Sequence, residues 1–421
     1  MFLEKGNLPG RKNRIIIGYD LSDEHSQISF CRVDGGEPET VSVVEGEEQY
    51  DFPTVLARRP DMNQWFFGRE ARREAESGNG ILVEHLLTLA LTEETVAVGT
   101  ETFSPVALLA LFMKRSLSLL GMDGAVEETE ALAVTVESLD QRTAQVLAEA
   151  VSIMQLQTEH VFFQSYGECF YQYMLHQPRE LWLGQSLVCE YEGGRLKTYR
   201  MECNRRTTPV VVLVEERVYP DPEKSDKALF SVLEESCKSR VVSSAYLVGT
   251  GFEGDWYQDS LRYLCRGRRV FRGNNLYSKG ACYGAGERLQ PGEIGKQYVF
   301  LGRDTLKANL GMNVLRGGED SYYALLNAGV EWYEANKQCE FYLESGNSFS
   351  IIITPLTGKE SKEVEIILND LPVRSERATR IRMTLSLESE SDVAITLEDL
   401  GFGEIYPATH MIWHEKLRMT D

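Results

Sequence analysis

The chain has 421 residues, of which 43% are hydrophobic and 26% are charged, values typical of globular proteins. This length predicts two or three domains with sizeable hydrophobic cores. The 44 basic and 64 acidic residues leave a net charge of −20, which argues against nucleic acid and against an anionic membrane surface as partners.

The sequence has no feature that predicts export or membrane insertion. Its longest apolar run, residues 106–113, is shorter than the roughly 18 residues that a membrane-spanning helix needs. The first 14 residues lack the apolar segment of a secretory signal. The cysteines form no CxxC pair and the histidines show no ligand-like spacing, which favours reduced thiols over disulfides or a metal site. We therefore expect a cytoplasmic protein.

The first half of the chain begins with three predicted strands, at 14–21, 26–33 and 40–44, where apolar residues are β-branched or alternate with polar ones. After a mixed segment, a helix is predicted to begin with Ser104 as its N-cap and Pro105 in its first turn, and to end at Gly121. The pattern then predicts a strand at 131–136, a helix from near Asp140, a strand at 160–164 and a helix at 166–175.

The next part of the chain repeats this order of elements. Strands at 186–191 and 195–202 form a hairpin around residues 192–194. The further predicted elements are a strand at 209–215, a helix at 223–239, a strand at 244–249, a helix near 255–265, a strand at 269–271 and a helix at 276–286. Two copies of one unit predict an α/β fold of two similar lobes with a central cleft, where ligands bind at the carboxyl ends of the strands.

From residue 310 onward the pattern changes to short alternating runs, which predict an antiparallel β-sandwich. A mixed linker precedes them at about 288–310. The runs are at 324–333, 338–345, 348–356, 363–371, 378–389 and 392–400, with turn signals at 316–318, 344–347 and 357–359.

The repeated order resembles that of the actin-like ATPase superfamily, and short motifs resemble the DnaK-like (seventy-kilodalton heat-shock) chaperones in particular. Residues 18–21 resemble the start of that family's first phosphate loop. Further resemblances are at 52–55 with 67–71, at 134–136 with 140–142, and at 247–249 with 283–285, which match the spacing of the family's adenosine motif and closing Y-G-A. Residues 324–331, 341–355, 371–372 and 381–401 resemble the strand order of its substrate domain.

The resemblance covers most of the chain and implies its domain organisation. Residues 1–288 correspond to an actin-like (ribonuclease-H-like) ATPase-type domain, with lobes at about 1–180 and 181–288. Residues 289–309 correspond to the linker, and 310–421 to the β-sandwich substrate-binding domain, without the family's helical lid. The apolar linker stretch, residues 297–302, either docks on the lobes, as in the family, or forms an edge strand of the sandwich.

The first phosphate loop departs from the family pattern. Where the family has Asp-Leu-Gly-Thr-Thr-Asn, this chain has Asp20, Leu21, Ser22, Asp23, Glu24 and His25. Two carboxylates at the position of a triphosphate would repel it unless a metal ion or a proton compensates. Asp23 and Glu24 therefore either bind a cation or form a solvated turn in an inactive site.

The second phosphate loop is also altered. Where the family has Asp-Leu-Gly-Gly-Gly-Thr, this chain keeps an acid at Glu190 and two of the glycines, Gly193 and Gly194. Glu192 places a carboxylate where phosphate would approach, whereas Arg195 offers a charge-assisted contact. The same residues also suit an ordinary hairpin turn.

Other positions that the family uses are lost or reduced. Gln164 stands where the family has a glutamate that acts on the attacking water, and no lysine matches the family's catalytic lysine. The adenosine motif is best preserved, at Gly249, Thr250 and Gly251, although such glycines also suit a strand-to-helix turn. The segment before this motif is too short for the subdomain that forms one wall of the family's adenine pocket.

These departures predict a non-catalytic or nearly inactive chaperone-like protein that binds peptides or a protein partner through its sandwich. In this hypothesis the nucleotide site is vestigial and there is no cofactor, no metal and no catalytic residue. The alternative is an active ATP-dependent chaperone whose divergent loops bind ATP or ADP with Mg²⁺. A small-molecule kinase on the same fold fits least, because a sandwich follows the lobes. The oligomeric state is left open.

Overall fold

The computed structural model describes residues 14–44, 46–121, 129–158, 160–219, 223–238, 241–273, 275–303, 305–333, 335–356 and 360–419. The chain divides into two compact units. Unit 1 comprises Met1–Cys203 and Val214–Lys296, and unit 2 comprises Asn204–Leu213 and Gln297–Asp421. The predicted turn at 357–359 lies outside the described residues. The division falls inside the predicted linker, 289–309, and the predicted domain limits stay predictions.

The first part of unit 1 is a mixed α/β arrangement. Its elements are β1 (Ile15–Leu21), β2 (His25–Arg32), β3 (Glu39–Thr40), β4 (Phe52–Pro53), β5 (Leu56–Arg59), β6 (Gln64–Phe67), α1 (Gly68–Glu76), β7 (Ile81–Val83), α2 (Leu86–Thr92), β8 (Val96–Val98), β9 (Glu101–Phe103), α3 (Pro105–Ser116), β10 (Thr129–Val136), α4 (Gln141–Met154), β11 (His160–Ser165) and α5 (Tyr166–Leu175). The main sheet has the order β11-β10-β1-β2-β3, with β4 also paired to β2. β1 is antiparallel to β2 and parallel to β10.

The second part of unit 1 repeats this pairing pattern. Its elements are β12 (Gln185–Glu192), β13 (Arg195–Asn204), β14 (Val210–Tyr219), α6 (Asp226–Cys237), β15 (Val242–Val248), α7 (Gln258–Leu264), β16 (Arg269–Arg272), α8 (Leu276–Leu289) and α9 (Glu293–Gln297). The sheet order is β16-β15-β12-β13-β14, followed by Tyr298–Leu301, which pairs with the part of β14 that belongs to unit 2, Val210–Leu213. β12 is antiparallel to β13 and parallel to β15, as β1 is to β2 and β10. Within the described residues, no helix combines the length and the apolar character needed to cross a membrane.

Side-chain caps set the helix starts that the sequence predicts. The hydroxyl of Ser104 accepts a hydrogen bond from a main-chain N–H of α3, which begins at Pro105. The carboxylate of Asp140 accepts one from the N–H of Thr143 at 2.7 Å and so caps α4. Gly121, with a φ of +63°, ends the 3-10 turn that follows α3. These predicted helix limits are confirmed.

The third predicted strand, at 40–44, is wrong in its extent. The structure has a strand at Glu39–Thr40 and none at 41–44. The hydroxyl of Ser42 donates to the carbonyl oxygen of Val44 at 2.7 Å, and such a local bond competes with strand pairing. The mixed segment after it contains β4–β9, α1 and α2, which were not predicted because most of these elements are too short to show a period.

Unit 2 is built from strands. They are β17 (Tyr298–Leu301), β18 (Ala308–Arg316), β19 (Glu319–Leu326), β20 (Asn336–Leu343), β21 (Ser348–Pro355), β22 (Lys362–Ile367), β23 (Thr379–Leu387), β24 (Asp392–Gly401) and β25 (Ile412–Arg418). In the described part of this unit, β18–β25 form two four-stranded sheets with the orders β19-β18-β21-β22 and β20-β23-β24-β25. Buried side chains of both sheets, such as Leu310 and Ile353 of the first and Ile381 and Leu397 of the second, belong to one hydrophobic cluster.

The segment between the predicted lobes and sandwich also differs from expectation. Residues 298–301 form β17, which runs parallel to Val210–Leu213 of β14. The alternative that this stretch is an edge strand of the sandwich is therefore wrong, because its neighbour is β14. β18 begins at Ala308, inside the predicted linker, and β25 lies beyond the last predicted run. Neither was predicted; the linker pattern was mixed, and the residues of β25 were not recognised as an alternating run.

Candidate functional site

Three of the predicted motifs line one cavity of about 250 Å³ in unit 1. Its wall includes residues of the β1–β2 turn, the β12–β13 hairpin and the end of β15. The predicted site residues in the wall are Asp20, Ser22, Asp23, Glu24, Glu190, Glu192, Arg195 and Gly249, and the structure adds Glu137, Tyr166, Lys197 and Tyr277. We call this space the acidic cavity. Gly193, Gly194, Thr250, Gly251 and Gln164 are predicted site residues that do not line it.

The first loop is closed by its own hydrogen bonds. The hydroxyl of Ser22 donates to the carbonyl oxygen of His25 at 2.8 Å and accepts from the His25 N–H at 3.2 Å. The carboxylate of Asp23 accepts from the N–H groups of Leu87 and Thr88 at 2.9 and 3.1 Å, and also from the Thr88 hydroxyl. Asp23 is thus bound to the first turn of α2, whereas Glu24 is exposed.

The second loop and the adenosine motif are bound to each other. The carboxylate of Glu192 accepts from the N–H and the hydroxyl of Thr250, at 2.7 and 2.8 Å. A Cβ atom at Gly249 would lie 2.4 Å from the carbonyl oxygen of Tyr191, and one at Gly251 would lie 2.5 Å from the Tyr191 ring. These glycines therefore allow a close contact with the end of β12.

The hairpin glycines have a different role. Gly193 and Gly194 have φ values of +54° and +77°, and a Cβ atom at either would have no neighbour within 4 Å. Positive φ at two consecutive residues is typical of a two-residue hairpin turn. The conformation of the turn alone accounts for these two glycines.

Gln164, which the sequence resemblance assigned to the position of a glutamate, is fully buried. Its side-chain oxygen accepts a weak hydrogen bond from the Cys169 thiol at 3.3 Å. A Cβ atom at Gly284 of α8 would lie 2.0 Å from its side-chain nitrogen. Gln164 therefore packs between α5 and α8 and does not line the acidic cavity.

Two ion-paired residues of the cavity were missed by the sequence analysis. The side chain of Lys197 is 3% exposed, and its ammonium group pairs with the carboxylate of Glu137. Arg195 pairs with the other oxygen of Glu137 at 3.6 Å. Lys197 lies two residues after Arg195 on β13. Because side chains two positions apart lie on the same face of a strand, this spacing is the signal that would have placed Lys197 beside Arg195.

The centre of the site is a pair of carboxylates, each bonded to a tyrosine. The hydroxyl of Tyr166 donates to Asp20 at 2.8 Å, and that of Tyr277 donates to Glu190 at 2.5 Å. The two tyrosine rings are stacked, with centroids 3.8 Å apart and planes 7° apart. Asp20 and Glu190 are each the sixth residue of their strands, and both tyrosines lie in the first turn of a helix, Tyr166 in α5 and Tyr277 in α8. The repeated unit therefore places equivalent pairs face to face.

The electrostatic character of the cavity is acidic. Among the described wall residues, six carry carboxyl groups. The basic residues of the wall are Arg195, Lys197 and two histidines. Burial raises the pKa of Asp20 to about 7, although His25 and the Tyr166 hydrogen bond lower it in part. Burial also raises the pKa of Glu190, against the opposing effects of Lys197 and Tyr277. Such a wall disfavours a polyphosphate and favours hydrogen-bond donors and cations.

The described residues contain no group of three or more His, Cys, Asp or Glu side chains arranged to hold a metal ion. The cation that the sequence analysis considered for Asp23 and Glu24 therefore gains no support as a metal. The carboxylate of Asp23 already accepts three hydrogen bonds from α2.

Two family models match the sequence. Residues 37–303 match one described as a family of unknown function (DUF5716), C-terminal part. Residues 305–419 match a second, described as a domain of unknown function (DUF8552). No curated protein matches the chain.

Proposed function

The chain belongs to the family of unknown function DUF5716, and we propose that it acts as a non-catalytic binding protein related to the DnaK-like chaperones. In this proposal unit 1 is an actin-like scaffold with a degenerate nucleotide site. Unit 2 is a β-sandwich that binds an extended peptide or a protein partner. The observation that carries the proposal is the acidic cavity. Its described wall residues include six carboxyl groups, at the place where the proposal puts the degenerate nucleotide site.

The repeated architecture supports the actin-like assignment of unit 1. The sheets β11-β10-β1-β2-β3 and β16-β15-β12-β13-β14 have the same strand directions around their central strands. In each, a carboxylate near the end of the first strand accepts a hydrogen bond from a tyrosine in the first turn of a helix, α5 or α8. A fold alone does not set a function, so the scaffold role depends on the contacts of the loops.

In this proposal the contacts of the loops lie where the related family binds phosphates. Glu192 binds Thr250, so that a carboxylate lies between the second loop and the adenosine motif. Asp23 binds α2 next to the first loop. A triphosphate would have to displace these carboxylates or lie against them, at a cost of several kcal/mol where the local dielectric constant is low.

Unit 2 offers open strand edges for a partner. Each edge strand of its two four-stranded sheets exposes a large apolar side chain, namely Tyr322 on β19, Tyr342 on β20, Ile367 on β22 and Ile412 on β25. The ring of Tyr342 contacts that of Phe402, and Phe402 and Ile405 are also exposed. We call Tyr342, Phe402 and Ile405 the β20 patch. An edge with such a patch favours strand addition by an extended peptide.

Calorimetric titration with Mg²⁺ and ATP or ADP tests the scaffold role. We expect no binding at millimolar nucleotide, because of the carboxylates in the cavity. Micromolar binding, or phosphate release that disappears in Asp20→Ala, would contradict the proposal and would favour an active chaperone.

Suppression of the aggregation of a reduced, unfolded client protein tests the binding role. We expect suppression that ATP does not change. The double variant Tyr342→Ser/Phe402→Ser should bind an unfolded client about tenfold more weakly, since it removes two aromatic anchors. The matched control is Leu315→Ser/Tyr322→Ser, which removes two exposed apolar side chains from β18 and β19. Equal loss in both variants, or no binding to any unfolded chain, would contradict a role for the β20 patch.

A further inference from the structure

We propose that the acidic cavity of unit 1 binds a small organic cation with two primary ammonium groups, a di- or polyamine. This proposal goes beyond the scaffold role and does not depend on what unit 2 binds. It rests on two buried carboxylates that face the cavity with few partners.

Three of the acidic side chains in the wall form hydrogen bonds or ion pairs with neighbouring groups. Asp23 accepts its hydrogen bonds from α2, and Glu137 pairs with Lys197 and Arg195. Glu192 accepts from Thr250 and lies 3.9 Å from His25. A fourth acid, Glu24, is exposed to solvent.

Asp20 and Glu190 remain. They are 2% and 7% exposed, and both line the cavity. Among the described residues, Asp20 accepts one hydrogen bond, from Tyr166 to Oδ1, so its Oδ2 has no donor. Glu190 accepts from Tyr277 at Oε2, and its Oε1 lies 4.0 Å from the Lys197 ammonium, beyond hydrogen-bond distance. Neither oxygen is among the described side-chain oxygens that are buried without a partner, so both are accessible from the cavity and can accept from a donor of a ligand.

The geometry of these acceptors selects the type of cation. Each carboxylate has one oxygen taken by a tyrosine, which leaves a single oxygen for a ligand. A guanidinium group binds best to both oxygens of a carboxylate, whereas an ammonium group is a compact donor that suits one. Leu21, Leu87 and Val248 supply apolar wall for an aliphatic spacer. The volume of about 250 Å³ lies just below the ~300–1,000 Å³ of drug-sized sites, as expected for a small ligand.

Calorimetry with putrescine and spermidine at near-physiological salt tests the proposal, with butylamine and methylguanidine as comparison probes. We expect saturable binding of one diamine per chain, about tenfold tighter than either comparison probe, because a second ammonium group reaches a second carboxylate. The salt concentration matters because a chain with a net charge of −20 attracts any cation weakly.

Two isosteric variants locate the site. Asp20→Asn and Glu190→Gln should each weaken diamine binding about tenfold, since each removes one anionic acceptor. The control Glu149→Gln makes the same charge change on the exposed face of α4 and should bind like the unchanged chain. Equal affinity in all three variants, or no saturable binding of putrescine and spermidine at millimolar concentration, would overturn the proposal.

Proton release gives a second readout that needs no variant. An ammonium group requires ionised Asp20, whose pKa is raised to about 7 by burial in the free protein. Binding at pH 7 should therefore release protons, so the observed enthalpy should change with the ionisation enthalpy of the buffer. Nucleotide binding or a failed client assay would instead count against the scaffold and partner roles.

Discussion

At the scale of single residues, unit 2 contains a buried ion pair between Arg374 and Asp399. Their side chains are 3% and 0% exposed, and two hydrogen bonds of 2.6 and 2.7 Å connect them. Asp399 also accepts from the N–H groups of Gly401 and Thr409. Burial alone would raise the pKa of Asp399, but the hydrogen bonds from Arg374 and Thr409 outweigh it and hold the pKa well below its usual range.

Replacement of Arg374 by alanine should strongly destabilise unit 2. The carboxylate of Asp399 would stay buried without its cation, a change that typically costs about 3–5 kcal/mol. Denaturant unfolding measures this loss. The control Arg377→Ala removes an exposed arginine of the same loop, paired with Glu344 at 3.3 Å, and should cost under about 1 kcal/mol. Similar losses for the two variants would show that the buried pair is not needed for stability.

At the scale of elements, the backbone of helix α8 lies in close contact with the backbones of α5 and β1 in unit 1. A Cβ atom at Gly280 would lie 2.1 Å from the carbonyl oxygen of Cys169 in α5. One at Gly18 of β1 would lie 2.1 Å from the carbonyl oxygen of Ser278 in α8. Glycine is therefore required on both sides of α8, because any side chain would push the helix away.

A pair of glycine-to-alanine changes in α8 tests this packing. Gly280→Ala should destabilise the protein by about 1–3 kcal/mol or more, because the backbone of α5 must move. Gly286→Ala should leave stability unchanged or raise it by up to about 1 kcal/mol, since its Cβ atom would meet only Ile16 at 3.8 Å and alanine favours a helix. Denaturant midpoints measure both. A Gly280→Ala protein as stable as the unchanged chain would contradict the close contact.

At the scale of the whole molecule, the repeated halves of unit 1 meet at the stacked tyrosines and their carboxylates. The groups that face Asp20 are Tyr166, His25, Glu190 and Asp51. Burial raises the pKa of both tyrosines, so their hydroxyls stay protonated and donate. The junction of the halves therefore contains buried acids that ionise at a free-energy cost.

That cost predicts a pH dependence of stability. The pKa of Asp20 is about 7 in the folded protein and ~3.9 in an unfolded chain, so the folded state binds more protons between these values. Its contribution to the free energy of unfolding should therefore fall as pH rises from 4 to 7, by up to about 1.4 kcal/mol per pH unit.

Comparison of the unchanged chain with Asp20→Asn isolates this contribution, because the other titrating groups, including His25 and Glu190, are common to both. The variant should gain stability relative to the unchanged chain as pH rises from 5 to 8, as measured by denaturant unfolding. A difference that is constant over this range would show that Asp20 keeps an ordinary pKa.

The sequence by itself determined most of the local elements. Ser104 and Asp140 mark helix starts because their side chains cap main-chain N–H groups within three residues. Such short-range signals can be recognised from the sequence alone. The helix predicted at 166–175 and the hairpin at 192–194 follow from equally local patterns. The repeat of the element order was also visible, because it depends only on the succession of periods.

Only the tertiary structure decided what the loops do. The sequence brought Asp23, Glu192 and Gly249 forward as site residues, but their partners Leu87, Thr250 and Tyr191 are set by folding. The stack of two tyrosines that lie 111 positions apart, 277 − 166, has no signal in either segment. The pairing of β17 with β14 was hidden for the same reason. Hydrophobic period and capping act over a few residues, whereas the chemistry of a cavity depends on contacts between distant segments.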